Sequence, residues 1–253
     1  MNNLTFKETI SLAVGIYKKS FKITFVLAFM LSFISEYCFV YLMRHGMLDY
    51  IESNGKDIPA NFPSGSILAL IILVIFVATI FVYAMIILLQ AILIQEDMRN
   101  SDALKLSLQV FSKKILSFIG VLLFWAIVIS LLSIFLQYIG MFIAILLFFT
   151  VFPAILLEEK SVLKAIKDNF IIIKDDFFYM VSLAFVVMVL MTIKPLITFV
   201  VIYFLKSINI GITPLEVSIE NIIITLINSF VMLLTFSITI ATFLATRKGK
   251  LSV

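Results

Sequence analysis

The amino-acid sequence predicts an all-α, polytopic membrane protein that forms one transmembrane domain over residues 1–253. Of the 253 residues, 63% are hydrophobic and 13% are charged, and the mean hydropathy is +1.20. A soluble domain carries a charged fraction of about a quarter. Long uncharged runs and a one-sided distribution of basic residues support the same class. These features exclude a soluble enzyme, a disordered chain and a fibrous protein.

Uncharged runs define the spans, because about 20 apolar residues in a helix cross the hydrocarbon core. The run from Ile115 to Leu157 is 43 residues long, which is too much for one helix and suits two helices joined by a tight turn near Gln137 and Gly140. The segment 44–66 is expected to be a flexible extracytoplasmic loop. The sequence therefore predicts six transmembrane helices arranged as three hairpins, at residues 23–43, 67–95, 115–136, 139–157, 177–205 and 219–246.

Basic residues predict the orientation of these spans. Fifteen of the 19 lysines and arginines precede spans one, three and five or follow span six. The positive-inside rule then places both termini in the cytoplasm, as an even number of spans also requires. The N-terminal segment lacks a short apolar core and a small-residue cleavage site, so no signal peptide is predicted.

Three segments, 5–19, 101–114 and 161–174, share one pattern just before an outward-going span. Each opens with a hydroxyl residue suited to N-capping, and Thr5 with Glu8 forms a capping-box pattern. Each continues with apolar residues at helical spacing: Phe6, Ile10, Val14 and Tyr17; Leu104, Leu108 and Phe111; Val162, Ile166 and Phe170. The recurrence predicts a cytoplasmic interfacial amphipathic helix before each hairpin; the alternative is three ordinary loops.

Lysines close each of these three segments. They either contact lipid headgroups or only enforce the topology. The candidate headgroup contacts are Lys18, Lys19, Lys113, Lys114 and Lys174.

Span six carries a polar stripe on one helix face. Its side chains either hydrogen-bond to neighbouring helices, for roughly 1 kcal/mol or less each, or line a polar pathway. The stripe consists of Asn221, Thr225, Asn228, Thr235, Thr239, Thr242 and Thr246.

Charges and prolines inside the spans give further candidates. Glu36 in span one and Lys194 in span five are expected to form an intramembrane ion pair, because an unpaired charge there costs ~2.5–3.5 kcal/mol. The alternatives are a protonated Glu36 and a Lys194 that snorkels to the outer interface. Pro153 and Pro195 are each expected to disturb a helix.

The sequence offers little catalytic chemistry. One cysteine, Cys38, and one histidine, His45, allow neither an internal disulfide nor a zinc cluster, and no phosphate-binding glycine motif occurs. We expect a non-enzymatic protein with no cofactor, no metal and no nucleic-acid partner, whose partners are membrane lipids. The predicted role is envelope or lipid homeostasis; the alternative is a small-solute or ion permease or channel with span six lining the pathway.

Several stretches resemble an uncharacterised family of six-span bacterial inner-membrane proteins typified by YciC. They are Phe21-Lys-Ile-Thr-Phe, Ser101-Asp-Ala-Leu-Lys-Leu-Ser, Gly140-x-x-x-Ala-Ile-Leu-Leu, Pro153-Ala-Ile-Leu-Leu-Glu-Glu-Lys, and residues 161–170. The resemblance covers nearly the whole chain in order. It implies a bacterial inner-membrane location and no particular activity.

Overall fold

A computed structural model describes residues 5–53, 56, 58–96, 98–158, 160–207 and 214–246. This part of the chain contains helices and connecting turns but no strand, which confirms the all-α prediction. The helices are α1 (Phe6–Arg44), α2 (Met47–Glu52), α3 (Gly65–Gln95), α4 (Asn100–Phe148), α5 (Val151–Leu157), α6 (Val162–Asp175), α7 (Phe177–Ser207) and α8 (Pro214–Thr246).

Five helical stretches in the described residues are long and apolar enough to cross a membrane. This finding rests on length and composition, and it indicates a multi-pass membrane protein. The stretches are Phe6–Arg44, Gly65–Gln95, Asn100–Leu157, Phe177–Val201 and Glu220–Thr246.

The longest of these stretches folds back on itself. At Gln137 the backbone leaves the helical region, with φ 49° and ψ −124°. Beyond this point Gly140 approaches the backbone of Leu132 so closely that an added Cβ would collide with its carbonyl oxygen. The ring of Trp125 lies 5.9 Å from the ring of Phe152. Residues so far apart in sequence meet only because the chain reverses, so two limbs of this stretch pack side by side.

Two of the three expected interfacial helices are not separate helices, and the prediction is wrong for these two. Residues 5–19 are the beginning of α1 and residues 101–114 belong to α4, and both helices continue without a break into the next apolar segment. Lysine is a good helix former, so the lysine pairs do not end a helix. Only α6 is separate: it ends at Asp175, and Asp176 (φ −129°, ψ 49°) precedes α7.

The N-caps are partly as predicted. Thr5 and Glu8 form the capping box, and the Ser161 side chain accepts a hydrogen bond from the backbone N–H of Lys164. The expected cap at Ser101 is wrong, because α4 already begins at Asn100 and its N-cap is Arg99.

The three repeated segments bury small or polar residues at equivalent positions. The fourth and eighth residues after each N-cap are buried: Thr9 and Ala13, Ala103 and Ser107, Ala165 and Asn169. Small side chains allow close approach of neighbouring helices. The larger apolar residues of the predicted stripe are only half-buried or are exposed, as at Phe6, Val14, Leu108 and Phe170.

The buried core lies toward the predicted cytoplasmic ends of the helices. In α3, residues 84–93 are buried, whereas residues 67–77 are mostly exposed. In α7, residues 180–187 contribute buried side chains and residues 195–200 are mostly exposed. The most extensive helix contact is between α1 and α8. The helices are thus tightly packed at one end and less packed at the other.

The predicted loop at 44–66 contains local structure, contrary to expectation. It includes α2, and the rings of Tyr50 and Phe62 stack 4.7 Å apart. Gly46 adopts φ +83° against Pro59, at a distance where a Cβ would collide. The turn therefore requires glycine at this position.

Candidate functional site: a cavity between α1, α3, α4, α7 and α8

A cavity of about 510 Å³ lies between five of the long helices. It is positioned where the packed ends of the helices give way to the less packed ends. Its volume falls within the range of about 300–1,000 Å³ that is typical of small-molecule sites. Most of the side chains around it are apolar.

Four aromatic residues from α4 and α5 form one side of the cavity, which we call the aromatic wall: Phe118, Trp125, Phe148 and Phe152. The ring of Phe152 lies 6.1 Å from that of Phe118 and 5.9 Å from that of Trp125, both edge-on. This arrangement follows from the chain reversal at Gln137, which brings the two limbs together.

Three polar residues from α1 and α8 form a second side, which we call the polar wall: Ser32, Asn228 and Thr235. Their Oγ, Oδ1 and Oγ1 atoms are buried and have no hydrogen-bond partner among the described residues. A buried polar atom without a partner costs about 1–3 kcal/mol, and such atoms in a native fold are uncommon. Gln90, Ser107 and Thr225, which lie outside the cavity lining, also carry such an atom.

The predicted polar stripe of α8 is divided between two environments. Asn228, Thr235 and Thr239 line the cavity, whereas Asn221, Thr225 and Thr242 lie outside its lining.

Several hydroxyls of the stripe donate to their own helix. Thr239 donates to the carbonyl of Thr235 at 3.0 Å, Thr242 to that of Ile238 at 2.8 Å, and Thr246 to that of Thr242 at 2.9 Å. The expectation that these threonines join neighbouring helices is therefore wrong. A threonine hydroxyl readily reaches the carbonyl four residues back, which satisfies it locally.

The interhelical polar contact comes instead from Gln90, which the sequence reasoning passed over. Gln90 is fully buried in α3 and donates to the Ser237 hydroxyl at 3.0 Å and to the Leu233 carbonyl at 3.3 Å. The sequence feature that could have indicated this contact was a single amide side chain in an otherwise apolar span.

Glu36, Lys194 and Glu220 lie near the less packed end. Glu36 interacts electrostatically with Lys194 and with Glu220, but Glu36 and Lys194 do not form an ion pair within 4 Å. Glu36 is on α1 and Lys194 is on α7, and these two helices make little contact with each other. Helix α8 packs extensively on α1 and also contacts α7. Lys194 lines the cavity, and Pro195 beside it lies within α7, which continues through it.

Asn169 on α6 joins this surface helix to the wall of the cavity. Its Oδ1 accepts from the Thr150 hydroxyl at 2.7 Å and from the Thr150 backbone N–H at 3.3 Å. Its Nδ2 donates to the carbonyls of Leu147 at 2.7 Å and Leu146 at 3.2 Å. We call these four residues the Asn169 cluster.

The Asn169 cluster stabilises the break between α4 and α5. Pro153 lacks the N–H that would bond four residues back, so the helix is interrupted at Phe149 and Thr150, as predicted for a proline here. The exposed backbone groups then need a side-chain partner, and Asn169 supplies it. The sequence pattern indicated the effect of the proline, but it did not indicate that a distant asparagine compensates for it.

The candidate headgroup lysines are mostly at the surface. Lys114 is half-buried, and the others are exposed: Lys18, Lys19, Lys113 and Lys174. The described residues contain no group of three or more His, Cys, Asp or Glu residues that could hold a metal ion.

The described residues define an all-helical, multi-pass membrane protein with a mainly apolar cavity between its helices. No protein-family model, curated protein or solved structure matches the chain. The resemblance to the YciC-type family therefore stays a prediction.

Proposed function

We propose that this chain is a non-catalytic protein of the bacterial inner membrane that binds membrane lipid and supports lipid or envelope homeostasis. In this proposal the 58-residue stretch Asn100–Leu157 supplies two spans, which gives six spans in three hairpins with both termini in the cytoplasm. One observation carries the proposal: the cavity between the long helices is lined mostly by apolar side chains. A lipid in the surrounding membrane suits such a site.

The exposed lysines of α1, α4 and α6 support an interaction with lipid headgroups. Lys18, Lys113 and Lys174 each stand near the end of an amphipathic segment. Basic side chains at the cytoplasmic surface gain about 1 kcal/mol each from anionic lipids.

A deletion strain tests the proposed role. Its membrane lipid composition and its envelope-stress response should differ from those of the parent. The wild-type gene should restore both, whereas Thr235→Phe, which fills the cavity, should restore neither while reaching the membrane in equal amount. Unchanged lipid composition and stress response in the deletion strain would contradict the proposal.

A permease is the second candidate, favoured by the unpartnered polar atoms of Asn228 and Thr235 on α8. Purified protein in liposomes distinguishes the two functions. A permease accelerates the shrinkage or swelling of liposomes in a small solute, and Asn228→Leu abolishes the effect. A lipid-binding protein leaves the solute flux unchanged.

A further inference from the structure

The cavity has a size that restricts its ligand. At about 30 Å³ of liquid volume for each water-sized group, 510 Å³ holds about 17 groups of the size of a methylene. This corresponds to one acyl chain of about ten carbons together with a glycerol head of about seven non-hydrogen atoms. A phospholipid with two such chains exceeds the cavity.

The aromatic wall provides the surface for an acyl chain. Trp125 and Phe152 are partly exposed and present most of this surface, whereas Phe118 and Phe148 are buried. Transfer of a chain from water to such a surface gains about 0.8 kcal/mol for each methylene. For an acyl chain that enters from the membrane the gain in free energy is smaller, so the polar wall must supply the selectivity for the ligand.

A ligand that both donates and accepts hydrogen bonds would satisfy the unpartnered atoms of the polar wall once their side chains turn towards it. The Asn228 Oδ1 atom can only accept, so the ligand must carry an O–H or N–H group. The hydroxyls of Ser32 and Thr235 can donate as well as accept. A hydroxyl-bearing head satisfies all three, whereas an ester without a free hydroxyl does not.

The charges near the cavity favour an uncharged head. Lys194 would attract an anionic ligand, but Glu36 acts electrostatically on Lys194. The Glu36 carboxylate offsets the ammonium group. A cationic head would in turn meet Lys194 in the cavity lining.

From these observations we propose that the cavity binds one uncharged, single-chain amphiphile with a hydroxyl-bearing head, of the monoacylglycerol type. The chain packs on the aromatic wall and the hydroxyls bond to the polar wall. This inference rests on the proposed lipid-related function and names the class of lipid.

Trp125 permits a direct test, because it is the only tryptophan of the chain and belongs to the aromatic wall. The full-length protein in lipid nanodiscs is titrated with a monoacylglycerol that is brominated at mid-chain, and tryptophan quenching is measured. Quenching should saturate and should be reversed by unlabelled monoacylglycerol of the same length. A brominated two-chain phosphatidylcholine at equal bromine concentration should quench less. Equal quenching by both, or quenching that competitor does not reverse, overturns the inference.

Matched variants on α8 test the polar wall. Thr235→Val removes an unpartnered hydroxyl in the cavity, and binding should weaken by about threefold to tenfold, the worth of one hydrogen bond. Thr235→Ser should retain most of the affinity. Thr242→Val is the control, because that hydroxyl is also buried in α8 but donates to Ile238 outside the cavity. Equal affinity of the two valine variants would overturn the role of the polar wall.

Competing ligands of one chain length test the head. The fatty acid and the fatty acid methyl ester should both displace the brominated probe less well than monoacylglycerol. Stronger displacement by the fatty acid refutes the uncharged head. Saturable quenching by the two-chain lipid alone refutes the single-chain ligand but leaves the proposed lipid-related function standing. If no lipid quenches saturably and the deletion strain has normal lipids, both proposals fail.

Discussion

Replacing Asn169 by alanine should destabilise the protein far more than its place on a surface helix suggests. The change removes the partner of the Thr150 N–H and hydroxyl and of the Leu147 carbonyl, all in a buried setting. Two backbone groups left unsatisfied at about 1–3 kcal/mol each give a loss of about 2–6 kcal/mol. Because an alanine cannot reach the break between α4 and α5, the helix limb that carries the aromatic wall loosens.

Thermal unfolding in detergent measures this loss. Asn169→Ala should lower the apparent Tm by at least about 4 °C. Asn100→Ala, an exposed change at the start of α4, is the control and should stay within about 0.5 kcal/mol of the parent. The emission of Trp125, whose ring neighbours Phe152, reports loosening of the aromatic wall before global unfolding.

A double-mutant cycle isolates the contact itself. Thr150→Val and Asn169→Ala should couple by about 0.5–3 kcal/mol, since the two side chains share one hydrogen bond. If the two changes add without coupling, or if Asn169→Ala melts like Asn100→Ala, the cluster does not hold the helix break.

Other changes test the rest of the fold. Gly140→Ala should cost at least about 2–3 kcal/mol in thermal unfolding, because its Cβ would collide with the Leu132 backbone. Gly120→Ala is the control and should be neutral, because a Cβ there meets open space. Equal Tm values for the two variants would refute the tight turn. Glu36→Gln and Lys194→Met should couple by less than about 1 kcal/mol in a stability cycle, since no close ion pair joins them, and a larger coupling would restore the predicted pair. A single cysteine at position 56, in a chain without Cys38, should react with an impermeant thiol reagent from outside intact cells, and labelling only after lysis would reverse the predicted orientation.

The sequence predicted well whatever depends on local composition. Uncharged length identified the spanning stretches, and the turn near Gln137 was expected because an apolar run of 43 residues cannot form one helix across a bilayer. The cap at Thr5 could also be predicted from the sequence, because its partner Glu8 lies only three residues away. Such features need no knowledge of distant contacts.

What the sequence did not predict depends on contacts between distant residues. Nothing near Gln90 reveals that Ser237 lies opposite, and nothing near Asn169 reveals that Thr150 needs a partner. The threonines of the α8 stripe have two possible partners, their own helix or the next. Only packing decides that the Thr239 hydroxyl bonds locally and the Thr235 hydroxyl has no partner among the described residues.

The unbroken course of α1 has a consequence for the outline of the molecule. Its 39 residues extend for about 58 Å, and a tilt of about 20° still leaves about 55 Å across a hydrocarbon layer of about 30 Å. At least one end of α1 must therefore stand well clear of the hydrocarbon layer. A particle in a nanodisc should accordingly carry a raised profile where α1 leaves the bilayer.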